Sequence, residues 1–163
     1  MSLEKEEDKM QCKTINSFEG LEEFLSKKKD VLCIPEKRFH DYEGQVLNPD
    51  TFDFAKWFRE KHPDVSIDVI KADGTADLRS GDYWLPLVLL AGDVTFQVYL
   101  GIVANYIYDK LRGSLNHDKA SVHLKIIYHS AKDGKFKKFE YDGSVDGLTA
   151  IIKKIDLNEF IEE

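Results

Sequence analysis

The chain predicts an α+β domain: a largely antiparallel or mixed sheet of about five strands with helices packed on it, in the order αβαββαββα. Three observations carry this. The long apolar run from Tyr83 to Leu111 changes period partway along. Residues 122–129 alternate as a half-buried strand and return after an Asp-Gly turn. Three further stretches, around residues 18–29, 49–62 and 144–155, repeat apolar residues at helical spacing.

Composition sets the frame. One domain is expected from 163 residues, spanning 15–157, with a mobile charged tail over 1–14 and an acidic tail over 158–163. Apolar residues make up 42% of the chain, which excludes wholesale disorder. The net charge of −7 argues against a broad nucleic-acid surface, which would normally be basic. Cys12 and Cys33 have no CxxC or His-rich company, and Cys33 sits in the apolar run VLCI as a buried thiol. No secretory apolar segment precedes residue 31, so a cytoplasmic protein with reduced thiols is expected.

In order, Asn16 or Ser17 caps a first helix carrying Phe18, Leu21, Phe24 and Leu25, with Lys27, Lys28 and Lys29 at its C-terminal end. Val31 to Ile34 is a short strand stopped by Pro35. Asn48 and Pro49 open a second helix, rich in aromatics (Phe52, Phe54, Trp57, Phe58), whose rings are read as core. Val65, Ile67 and Val69 mark a strand, and Asp73-Gly74 suggests a hairpin turn echoed at Asp133-Gly134. The run that follows is long enough to raise a membrane span, which needs roughly 20 apolar residues. Asp93 lies near its middle, and Gly92-Asp93 splits it into a buried strand ending near Ala91 and a central helix that Asp93 caps. No membrane association is expected. His123, Lys125, Ile127 and His129 alternate with Val122, Leu124, Ile126 and Tyr128 on the next strand. Phe136 to Tyr141 returns, and Ser144 caps a last helix.

The motifs that carry chemistry are missing from this sequence. There is no GxxxxGK[ST], no GxGxxG, no HExxH and no GxSxG, and Asp73, Asp77 and Asp82 fail the calcium-loop spacing. No catalytic residue, cofactor or metal site is assigned, and the chain leans away from being an enzyme. His123 and His129 share a side but stand roughly 20 Å apart along an extended strand, too far to share a ligand atom. The basic hairpin, with Lys125, Lys132, Lys135, Lys137 and Lys138 among Phe136, Phe139 and Tyr141, resembles an anionic-strand surface, though edge lysines also serve to block aggregation.

Two expectations about function follow. On the central helix, Gln97, Gly101, Asn105 and Asp109 recur every four residues, and Arg112 follows. This narrow stripe suits contact with a protein partner or a second copy, as in an interaction or accessory domain. The alternative is a small ligand-binding protein or enzyme, with a pocket between sheet and helices that uses His123, Lys125 or nearby acids.

Overall fold

The computed structural model describes residues 9–15, 20–36, 44–75, 82–91, 94–112, 121–130 and 134–158, the last four by backbone only. The elements in chain order are β1 (Lys9–Ile15), α1 (Leu21–Ser26), β2 (Val31–Ile34), β3 (Val46–Leu47), α2 (Thr51–Lys61), β4 (Ile67–Val69), β5 (Gly74–Thr75), β6 (Tyr83–Leu90), α3 (Phe96–Leu111), β7 (Ser121–His129), β8 (Phe136–Ser144) and α4 (Val145–Asn158).

Six strands form one mixed sheet in the order β1-β8-β7-β6-β2-β4. The pairs β1·β8, β7·β8 and β2·β6 are antiparallel, while β6·β7 and β2·β4 are parallel. The parallel step from β6 through α3 to β7 is the crossover that two neighbouring parallel strands require. The α+β class therefore holds, while the order gains three strands, β1, β3 and β5. Residues Lys9–Ile15, expected within a charged tail, are instead an edge strand paired along its whole length with β8. Cys12 is thus a strand residue, its Sγ 3.5 Å from the Tyr128 hydroxyl. The Asp73-Gly74 hairpin is also absent: Gly74–Thr75 pairs in parallel with β3 in a separate two-stranded sheet, and β4 pairs with β2. The hairpin at Gly134 does form, with Gly134 at φ 72 and its N–H donating to the Ser130 carbonyl at 2.9 Å. The suggested cap residues Asn16, Ser17 and Asp93 lie outside the described residues.

Helices α2, α3 and α4 cover one face of the sheet. Their core unites Phe54 and Phe58, Tyr99, Leu100, Val103 and Tyr106, and Leu148 with Val31, Cys33, Val88, Ile126, Phe139 and Tyr141. Phe54 stands at its centre, edge-on to Tyr106 at 5.0 Å; of the aromatic helix read as core, Phe54 and Phe58 are buried and Trp57 is partly so, while Phe52 is 56% exposed, because it falls on the side of α2 turned away from the sheet. Burial pushes the Cys33 thiol up to about 12, so it stays protonated in the fold. Thr95 caps α3, its Oγ1 accepting from the Val98 N–H at 3.1 Å. Ser144 caps α4 through the Gly147 N–H at 2.9 Å, as expected. No helix among the described residues is long and apolar enough to cross a membrane.

Among the described residues, the other face is covered only in part. α1 lays Leu21 and Phe24 over Leu32, Ile34, Leu89 and Ile127. The rest of that face is polar, and the candidate site lies there.

Candidate functional site

Strand alternation decides which residues reach the second face. Reading across the ladders, one row runs Leu32, Leu89, Ile127, Lys138, Lys13. The next runs Ile34, Leu87, Lys125, Glu140, Gln11, and a third runs Trp84, His123, Asp142, Lys9. The face is therefore graded, apolar on β2 and β6, charged on β7, β8 and β1. Where the two halves meet beside α1, a cleft of about 670 Å³ opens over Ile15, Ile34, Leu87 and Ile127, with Phe24 on its α1 side and Lys13 and Lys138 in its lining. Glu23, Glu36 and Gln45 complete the polar lining.

A local defect in β6 helps to build the wall beside the cleft. Pro86 has no N–H, and the β6·β7 register shifts between Trp84 and Leu87. The Leu85 carbonyl is taken up instead by Asn48 Nδ2 at 2.8 Å. That same nitrogen donates to Glu36 Oε2 at 2.9 Å, and Lys125 Nζ meets Glu36 Oε1 at 2.7 Å. Burial alone would lower the Lys125 ammonium, but the hydrogen bond and charge of Glu36, with the charges of Glu140 and Asp142, together outweigh it and hold it above its ordinary value. Asp50 binds the strand just before the defect, accepting from the Trp84 N–H at 2.6 Å and donating its own N–H to the Trp84 carbonyl at 3.1 Å. Asn48, read as a helix cap, is thus a buried strut, and α2 starts three residues later at Thr51.

His123 is fully engaged. Nδ1 lies 2.8 Å from Asp142 and Nε2 lies 3.1 Å from Asp82, while the ring stacks on Trp84 at 3.7 Å. With both nitrogens facing carboxylates of its own chain, this imidazole acts as a clasp joining β7 and β8 to the start of β6. His129 bonds the Gly134 carbonyl at the hairpin end, apart from His123. Of the two residues suggested for ligand contact, His123 and Lys125 do share the second face, but both are held by their own chain.

The α3 stripe divides. Asp109 accepts from Trp57 Nε1 at 2.8 Å and from Arg112 at 2.9 Å, so Asp109 serves the α2–α3 contact and Arg112 braces it from its own helix. Gln97 and Gly101 are half-buried and Asn105 is exposed. A Cβ on Gly101 would meet nothing within 4 Å. The basic hairpin also divides: Lys138 and Lys125 face the cleft side, Lys137 is buried, and Phe139 and Tyr141 are in the core rather than forming a stacking surface. Lys132 lies outside the described residues. Among the described residues no group of three or more His, Cys, Asp or Glu could hold a metal.

Sequence reasoning did not pick out Lys13, Ile15, Glu36 or Leu87. The alternation of β1 was the available signal, with Lys13 and Ile15 two residues apart, but the charge of residues 4–9 hid it. No family model, curated protein or solved structure matches the chain.

Proposed function

We propose that the protein is a small-molecule-binding module, without catalysis of its own, whose site is the cleft between α1 and the second sheet face. The cleft itself carries the reading. Its volume of about 670 Å³ falls within the range of roughly 300–1,000 Å³ usual for ligand sites, and it joins an apolar floor to a few polar groups. His123 serves as a clasp, with both nitrogens on carboxylates of its own chain, and the sequence offers no catalytic motif, which supports binding over catalysis. Amide-shift mapping during a ligand screen tests this. Bound molecules should move the signals of Ile15, Phe24, Ile34, Leu87 and Ile127 together, and Leu87→Trp should fill the cleft and abolish the shifts. Hits that map elsewhere, or that survive Leu87→Trp, would overturn the assignment.

A second reading, association through α3, draws on one observation. Val98 and Tyr108 are 53% and 66% exposed on the same outward arc as Gly101 and Asn105. It needs a protein partner or a second copy of the chain.

A further inference from the structure

Lys13 and Lys138 are direct cross-strand partners on the same face. Like charges placed directly opposite one another on an antiparallel pair are destabilising. Both line the cleft, next to Ile15 and Ile127. Among the described residues, the acids that line the cleft or its edge are largely engaged elsewhere. Glu36 is occupied by Lys125 and Asn48, at 2.7 and 2.9 Å. Glu140 reaches Lys138 only at 3.5 Å. Glu23 sits on the α1 side of the opening, across from the strand pair.

We infer that the cleft binds an anionic amphiphile, with its oxyanion head between Lys13 and Lys138 and its aliphatic body over Ile15, Ile34, Leu87 and Ile127. This rests on the cleft being the binding site. The repulsion between the two ammonium groups is relieved when an anion sits between them, so binding recovers a cost already present in the empty protein. The apolar floor then rewards a head that carries a hydrocarbon body, because the body leaves water as the head docks. Lysines act as point charges, without the planar fork of arginine, so the head can be a carboxylate or a phosphate ester.

Titration calorimetry on the full chain tests the inference, using decanoate, decyl phosphate, decanol and inorganic phosphate, each below its aggregation threshold. At least one decyl anion should bind, and the tighter of the two identifies the head. Lys13→Gln and Lys138→Gln should each weaken that binding about tenfold, the scale of one charge-assisted hydrogen bond. The same variants should leave the ligand-free melting temperature unchanged or raised, because a like-charge pair has been removed. A purely structural lysine would give the opposite sign. Decanol binding as tightly as the anions, with both lysine variants unaffected, would overturn the charged head and leave an apolar cleft. Inorganic phosphate binding as tightly as decyl phosphate would overturn the amphiphile. Failure of both anions and decanol to bind would remove this inference, and the shift-mapping screen would then decide the cleft independently.

Discussion

Lys125 ties the charged half of the second face to the loop that carries Glu36. The pair is close, 2.7 Å, and the Glu36 side chain is only 12% exposed. Removing the lysine strands a carboxylate that has little access to water. Lys125→Met should cost about 2 kcal/mol, the scale of a hydrogen bond to a charged group. The double variant Lys125→Met/Glu36→Gln should recover much of that, since no buried charge remains. Equal losses in single and double variants, measured by urea unfolding, would show that the pair is not coupled. The pH dependence follows from the sign of the shift. The folded lysine is held above its ordinary 10.5, so its contribution is complete below that pH. It is lost as pH rises through the folded value. Wild type should therefore lose stability above pH 10.5 more steeply than Lys125→Met.

At the scale of the element, α3 is the helix with the widest apolar arc, and its outward side is its least settled part. Seven of its residues are buried, from Phe96 to Ile107. Gly101 lies on the other side, with open space where a Cβ would be. A glycine inside a helix costs about 0.5–1 kcal/mol relative to alanine, because its backbone loses more freedom on folding. Gly101→Ala should raise stability by that amount, read as a higher urea midpoint at unchanged slope. A drop would place an unseen neighbour against Gly101. The bulkier Gly101→Leu separates the two readings of function. If α3 meets a second copy, sedimentation should show wild type associating at high micromolar concentration and Gly101→Leu monomeric yet folded. If the cleft alone is the site, Gly101→Leu should leave ligand binding untouched.

For the whole molecule, the decisive feature is that the first described strand closes the sheet against the last. β1 covers the open edge of β8 over seven residue pairs, brings Cys12 against the helix-side core and supplies Lys13 and Ile15 to the cleft. Deleting residues 1–15 should cost roughly 2–4 kcal/mol, the scale of two partly buried side chains with their ladder. It should also expose β8 as a free edge and promote aggregation, visible by light scattering. Cleft binding should vanish with it. A truncated chain with the wild-type melting temperature and no scattering would show β1 to be a dispensable addition.

Some of this was written in local pattern. The alternation from Val122 to Tyr128 put the β7·β8 hairpin on the page, because a period of two can bury only one side of a strand. The spacing from Phe96 to Leu111 marked α3, and Phe54 and Phe58 were core because they recur four residues apart on one side of α2, whereas Phe52 turned outward. Local pattern also placed His123 and Lys125 on one face. It could not say that both would be occupied, since their partners Asp82, Asp142 and Glu36 are 41, 19 and 89 residues away. Nor could it find β1. A short strand dense in lysine and glutamine reads as tail until another strand supplies its hydrogen bonds, and that strand is more than a hundred residues distant. The cleft has the same origin. Lys13 and Lys138 become neighbours only through the register of β1 on β8, and Ile34 and Ile127 become its floor only through the strand order. Side-chain periodicity is a property of a few consecutive residues and is legible there. Register, strand order and the pairing of charges are long-range choices settled by the packing of the whole sheet.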